Sequence, residues 1–354
     1  MTTELAQRRK GRALSWAVAA IAAAGIAAVT LAIEVRSAAP DRIVGPVVPG
    51  LAGRLAEAQK ITIVSPDARY RIAKTAKGWA MTDRGDFPVR AARLAQLTSG
   101  LTNLAFVRRM TSNPERHARL GVTDPAQGGN GVLVQIENAR GAFLVNLILG
   151  VQRDAIYARK PGDNQVWAVR GELPPLRDAS IWLDLQPLTL APDTLRRVEI
   201  VPNQGRPYIL ERASADAPFA FAGALAGREP ISAAALSDAA EHLTRVQPTD
   251  VLPAPTVQGP PSARVRATTA DGALIDAELI THGDRVWLKL AARAERPEAQ
   301  ATVDPINARA SAWAYAISPN DFERLTPALE SLLRNPAPAP ADAPQSPAPQ
   351  AEKN

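Results

Sequence analysis

Arg90-Ala-Ala-Arg-Leu94-Ala-Gln-Leu97-Thr-Ser-Gly-Leu101-Thr-Asn-Leu104, introduced by Pro88-Val89, is the stretch that decides how this chain is read. Leu94, Leu97, Leu101 and Leu104 recur at helical spacing and share one face, so the segment is an amphipathic helix. A second stretch repeats it: Pro230-Ile231, then Leu236, Ala239, Leu243 and Val246. Pro88 and Pro230, Val89 and Ile231, Leu94 and Leu236, and Leu101 and Leu243 are all separated by the same interval. A shared apolar stripe preceded by a shared proline points to two copies of one sheet-and-helix unit. The fold class expected is α+β.

Short β-branched and aromatic runs surround each helix. Ahead of the first lie Ile61–Val64, Tyr70–Ile72 and Trp79–Met81, parted by Ser65-Pro66-Asp67 and Lys77-Gly78. Val132–Ile136 and Phe143–Leu149 form a hairpin around Asn138–Gly141. Ile156–Ala158 and Val166–Val169 form a further strand pair. In the second unit Val198–Ile200, Tyr208–Leu210 and Phe219–Phe221 take the first three strand positions. Val265–Thr269 and Leu274–Leu279 are joined at Asp271-Gly272, a strong hairpin dipeptide. Val286-Trp287-Leu288 matches the Trp167 strand in kind, Ala294–Arg309 reads as a polar loop or insertion, and Trp313–Ile317 is a last strand. Ser318-Pro319-Asn320-Asp321 opens a final helix with Phe322, Leu325, Leu329 and Leu332 on one face.

The ends differ from this folded middle. Residues 1–13 are polar and basic, with Arg8, Arg9, Lys10 and Arg12 against Glu4. Leu14 to Ile33 follows without a charge, and as a helix it is roughly 30 Å long, the thickness of a bilayer core. Basic residues ahead of it keep the N-terminus cytoplasmic and send the rest across. The rival reading is a cleaved signal peptide at Ser37-Ala38-Ala39, but the apolar run exceeds the usual core of such a peptide. The expected plan is therefore a cytoplasmic segment (1–13), a transmembrane helix (14–33), a spacer (34–58), a first unit (59–190), a second unit (191–334) and a disordered Pro/Ala-rich tail (335–354). The expected location is the bacterial inner membrane, single-pass, with the bulk periplasmic.

Composition narrows the chemistry. The formal charge of +6 is weighted to the N-terminus, which makes it a poor argument for nucleic acid. The chain has no cysteine, which excludes disulfides, thiolate metal sites and a cysteine nucleophile. His117, His242 and His282 stand in no metal-binding spacing, and no Gly-x-Ser-x-Gly elbow is present. No metal or cofactor is expected. Gln127-Gly128-Gly129-Asn130-Gly131 precedes a strand and has no lysine, so it reads as a flexible turn rather than a phosphate loop. Tryptophans in strand contexts are core-filling first. The sharper candidates for ligand or partner contact are Tyr157 and Arg159, two apart on one strand and so on one side, together with Trp167.

Several of these segments, taken in order, carry a resemblance. Gly78-Trp79, the first helix, Leu120-Gly121-Val122-Thr123-Asp124-Pro125, Leu149-Gly150, Ile156-Tyr157-Ala158-Arg159 and Val166-Trp167 resemble the DUF4340 family, a bacterial family of uncharacterised function. The match covers roughly residues 60–185, with the second unit a diverged copy. The resemblance implies a single-pass membrane protein with a large extracytoplasmic part. It also implies an auxiliary role beside ABC transport systems of the gliding-motility type, with an integral membrane partner such as an ABC permease. It supplies no catalytic residues. The function expected is a non-enzymatic, membrane-anchored, partner-binding module. The alternatives are an envelope glycan- or lipid-binding protein using exposed aromatics and, last, a hydrolase.

Overall fold

The computed structural model describes residues 45–334 apart from 153, 154, 224 and 226. The expected membrane-spanning segment from Leu14 to Ile33 and the Pro/Ala-rich tail lie outside those residues. Among the described residues no helix is long and apolar enough to cross a membrane.

The chain is α+β, with two antiparallel sheets and several helices. Its first run of elements is β1 (Ala58–Val64), β2 (Arg69–Thr75), β3 (Gly78–Met81), β4 (Phe87–Pro88), α1 (Ala91–Thr102), β5 (Ala105–Thr111), β6 (Val132–Asn138), β7 (Phe143–Gln152), β8 (Ala155–Arg159) and β9 (Val166–Arg170). The second run is β10 (Leu195–Val201), β11 (Tyr208–Glu211), β12 (Ala220–Phe221), α2 (Ala233–Glu241), β13 (Asp250–Pro253), β14 (Ala263–Thr269), β15 (Ala273–His282), β16 (Arg285–Ala294), α3 (Gln300–Ala310), β17 (Trp313–Ile317) and α4 (Pro319–Leu325).

The nine-stranded sheet has the order β4-β3-β2-β1-β6-β7-β8-β9-β5, and the eight-stranded sheet has β12-β11-β10-β14-β15-β16-β17-β13. Apart from β4, the two orders coincide strand for strand. In both, the strand after the helix crosses to the far end of its sheet. Both first strands also carry an irregularity at the same place, between Ala58 and Lys60 against β6 and between Leu195 and Arg197 against β14.

The helices bury the expected stripes. Leu97, Leu101 and Leu104 are fully buried at α1 and Leu94 is half-buried, while Leu236, Ala239, Leu243 and Val246 are buried at α2. Each fully buried leucine among them removes apolar area worth about 1.5–3 kcal/mol from water. Gly100 lets α1 approach closely, since a Cβ there would collide with the Glu172 carbonyl.

The compact units interleave along the chain. One takes in residues up to Arg71 and Ala92–Asp178; the other takes in Ile72–Ala91 and the residues from Ala179 onward. Within the first, Val47 and Leu51 are buried, and Val47 N donates to Leu104 O at 2.7 Å. Within the second, Phe87 sits edge-on to Trp313 and Tyr315.

Four local expectations need correction. Ala294–Arg309 is not a loop: β16 runs on to Ala294 and α3 follows. Val303, Ile306 and Ala310 are buried there, and the Asn307 amide bonds both backbone groups of Ala292 at 2.8 and 2.9 Å. The final helix stops at Leu325, because Pro327 disfavours the helical conformation at Thr326, and Leu329–Leu332 form a separate 3-10 turn. The Trp167 strand corresponds by sheet order to Trp313 on β17, not to Trp287 on β16. Finally, β5 and β13 are strands with no counterpart in the sequence reading.

Candidate functional site

In the first unit the segment between β5 and β6 folds down onto one face of the sheet. Asn113 and Asp124 each cap a short 3-10 turn opened by proline, accepting from Glu115 N and Ala126 N at 3.0 and 2.9 Å. Thr123 Oγ1 donates to Asn130 Oδ1 at 2.6 Å, and Asn130 Nδ2 donates to Ala118 O at 2.8 Å. The glycine-rich stretch is therefore pinned rather than loose. A Cβ at Gly129 would stand 2.5 Å from the Asp124 carbonyl oxygen, and one at Gly150 would strike the Leu120 carbonyl. Leu120–Pro125 and Leu149-Gly150 thus form one packing contact: the loop backbone lies where a side chain on β7 would otherwise project.

Arg159 locks this arrangement. It is 8% exposed, and its Nε donates to Val122 O at 2.6 Å. Its Nη1 reaches the Asp163 carbonyl at 3.3 Å. Burial pulls the guanidinium below its ordinary range, while the charges of Asp124 and Asp163 oppose that shift. Tyr157 packs on the same side, against the cluster of Val122, Leu133, Ile148 and Val166. A cavity of about 680 Å³ opens beside Arg159, lined by His117, Asp124 and Asn130 among others. His117 Nε2 is tied to the Asn164 carbonyl at 3.0 Å.

Trp167 lies on the opposite face. It pairs with Ala158 rather than with Tyr157 or Arg159, so strand alternation turns it away from them. Tyr157 and Arg159 share one face of the strand, while Trp167 packs against another aromatic on the opposite face, with Arg159 also bordering a hollow beside it. There its ring meets Phe106 at 4.9 Å between centroids, and the Arg109 guanidinium stands 5.2 Å above it. A smaller hollow of about 220 Å³ joins Phe106 and Trp167 to Val47, Arg159, Lys160 and Asp163. The sequence reading misses Phe106, Arg109 and Lys160. The only signal for the first two is an aromatic three residues ahead of a basic residue, in a segment whose alternation is broken by bulges.

The second unit carries a Ser, Asp and His together. His242 Nε2 lies 3.0 Å from Asp321 Oδ1, and Ser318 Oγ donates to Asp321 Oδ2 at 2.8 Å. The carboxylate stands between the other two, so the imidazole does not meet the hydroxyl. Ser318 also caps α4, accepting from Asp321 N at 3.0 Å. Nucleophilic catalysis requires a base within hydrogen-bond reach of the nucleophile, and this order does not supply it. Among the described residues no group of three His, Asp or Glu side chains is placed to hold a metal ion.

The remaining concentration of chemistry is a face of the second sheet. Glu199, Arg266 and Asp276 stand side by side on β10, β14 and β15, and Arg264, Glu278 and Lys289 form a second row on β14, β15 and β16. Arg266 Nε meets Asp276 at 2.6 Å, Arg293 meets the same carboxylate at 3.1 Å, and Arg264 meets Glu278 at 3.4 Å. The six side chains of the two rows line a groove of about 570 Å³. The matching row of the first sheet is neutral: Thr62, Gln135 and Asn146, with Gln135 Nε2 donating to Asn146 Oδ1 at 3.1 Å.

No curated protein and no solved structure matches the chain. Residues 79–267, from β3 of the first sheet to β14 of the second, match a domain of unknown function, and the chain belongs to the DUF4340 family.

Proposed function

We propose that this chain is a non-enzymatic module, held by its N-terminal segment on the outer face of the bacterial inner membrane, that binds a protein partner. The reading includes two copies of one building block, supported by the shared strand order and the shared irregularity in each first strand. The partner proposed is an integral membrane protein, such as the permease of an ABC-type transport system.

The observation that carries the reading is the double row of charges on β10, β14, β15 and β16. Charges arranged in fixed alternation on a sheet face give register and partner choice more than raw affinity. Each pair is partly exposed and contributes little to stability, about 0–1 kcal/mol, so altering it leaves the fold intact. Detergent-solubilised full-length protein is expected to retain an integral membrane partner, and Arg264→Gln with Arg266→Gln should release it with little change in the melting temperature. Recovery of no partner under conditions that keep known complexes together would overturn the reading.

A second reading is an envelope glycan- or lipid-binding protein. It is favoured by the half-buried pair Phe106 and Trp167 with Arg109 above it. Loss of glycan or lipid binding in Trp167→Ala, with folding unchanged, would favour this reading over the first.

A further inference from the structure

The first unit is strongly basic, with fifteen Lys and Arg against nine Asp and Glu over residues 45–71 and 92–178. Part of that charge lies along β5, the terminal strand of its sheet. Arg108 and Arg109 are exposed on it, Arg170 is exposed opposite Ala105, and Arg116 and Arg119 are exposed in the turns that follow. Glu115 is the one acid on that run, and it is engaged with Asn113. Val107, between the aromatic Phe106 and the arginines, is 40% exposed.

The same edge receives the chain from its N-terminal side. Phe106 N donates to Gly45 O at 2.9 Å, Pro46 bridges Ala105, and Val47 N donates to Leu104 O. Only residues 34–44 separate Gly45 from Ile33, the end of the segment proposed as the anchor. Eleven residues span at most roughly 40 Å when fully extended and about 18 Å on average as a flexible chain.

From these two facts we infer that the β5 edge of the first unit lies against the headgroups of anionic phospholipids in the membrane that holds the anchor. This rests on the membrane-anchored reading above. Arginines clustered within a Debye length of an anionic leaflet are drawn to it, and Trp167 with Phe106 offers the amphipathic surface that favours the headgroup region. The bulges and arginines that discourage another strand from pairing with an edge also suit it to a charged surface.

The test uses full-length protein in lipid nanodiscs. The chain has no cysteine, so single labels are unambiguous. One fluorophore goes at Val107→Cys. Another goes at Pro66→Cys, in the turn after β1, five strand spacings or roughly 24 Å from β5. With a quencher on the lipid headgroup, the Val107 label should be quenched more than the Pro66 label in discs containing phosphatidylglycerol. The difference should disappear in phosphatidylcholine discs or at 0.5 M salt. Arg108→Gln with Arg116→Gln should lower the docking equilibrium about 25-fold, at about five-fold per arginine. Both substitutions are exposed and leave the fold standing.

Equal quenching at the two positions, or equal quenching of Val107 in neutral and anionic discs, overturns the inference. So does a Val107 label blind to lipid but shielded by an acidic extended peptide, which would make the edge a site of strand addition by a protein. Failure of the chain to co-elute with discs removes the anchor reading itself, and that outcome is seen before any quenching is measured.

Discussion

The Tyr208 hydroxyl donates to the carbonyl of Pro327 at 2.8 Å, and Tyr70 makes the same bond to Leu176, also at 2.8 Å. Each tyrosine stands on the second strand of its sheet, and each carbonyl lies on the segment that closes that sheet's run of chain. The closing segments agree further: Arg90 N donates to Trp182 O and Ile231 N to Leu332 O, just ahead of α1 and α2. A buried hydroxyl that finds a carbonyl across more than a hundred residues fixes where the closing segment lies. Its cost of burial is offset only while that bond exists.

Tyr208→Phe and Tyr70→Phe are each expected to cost about 1–2 kcal/mol, because the ring still packs while a carbonyl loses its donor. The Tyr208 change also alters the response to alkali. Burial raises its pKa above the ordinary value of 10.0, so the folded phenol stays neutral while the unfolded one ionises. That contribution is complete below pH 10 and is lost as pH rises beyond it. Melting temperature measured from pH 8 to pH 11 should fall more gently in Tyr208→Phe than in the parent. Equal slopes would show that the phenol ionises as readily folded as unfolded.

Gly150→Ala is expected to destabilise the first unit by about 1–3 kcal/mol. The new Cβ would meet the Leu120 carbonyl and stand 2.6 Å from the Gly121 oxygen, and backbone atoms cannot swing aside as a side chain can. Gly53→Ala is the control. That position is helical with nothing within 4 Å, so the change should be neutral or slightly stabilising. Urea midpoints of the two variants decide whether Leu149-Gly150 serves to admit the Leu120–Pro125 loop.

Phe87→Ala is expected to cost about 3–5 kcal/mol in the second unit. The ring is 4% exposed, with Trp313 at 4.8 Å and Tyr315 at 6.4 Å between centroids. Nearby, Arg84 binds Asp250 through Nε at 2.5 Å and Nη2 at 3.1 Å, and Arg285 meets the same carboxylate at 3.1 Å. These groups are only partly buried, so Arg84→Ala should cost about 1 kcal/mol or somewhat more, well short of Phe87→Ala. Comparing the two midpoints separates apolar packing from charge as the force that holds residues 72–91 in the second unit.

The parts of the fold legible in sequence are those where one physical period acts alone. Val132, Val134 and Ile136, and likewise Ala273, Ile275, Ala277 and Leu279, keep an apolar residue at every second position, and Leu97, Leu101, Leu236 and Leu243 follow a helical stripe with no competing signal. β5 fails on this ground: Phe106-Val107-Arg108-Arg109 alternates with nothing, because irregularities at both ends of the run break the period of two. β13 is four residues ending in proline, too short to register. α3 hides behind Pro305 and a stripe of only Val303, Ile306 and Ala310. Of the candidate site, Tyr157 and Arg159 share a side by strand alternation alone. That Trp167 turns the other way follows from the register of β8 against β9, which local sequence does not encode. Nor does it encode that residues 72–91 join the unit built from the far half of the chain.

His242 gives a test at the acid end of the pH range. It is 3% exposed and sits 3.0 Å from Asp321, with Asp238, Arg245 and Arg324 nearby. Burial lowers its pKa below the ordinary 6.5; Asp321 opposes that shift, while Arg324 reinforces it. A base whose pKa is lowered by folding binds its proton more readily when unfolded. Its contribution is therefore complete above pH 6.5 and is lost as pH falls below that value. The melting temperature should fall between pH 7 and pH 5, and His242→Gln, which cannot take up a proton, should flatten that decline even if it lowers stability at pH 7. Restricting the range to pH 5 and above keeps the carboxylates ionised, so the change in slope belongs to the imidazole. A parent protein that gains stability across the same range would mean that the ring carries a proton when folded. The contact with Asp321 would then be a buried ion pair, and the desolvation argument would fail at this site.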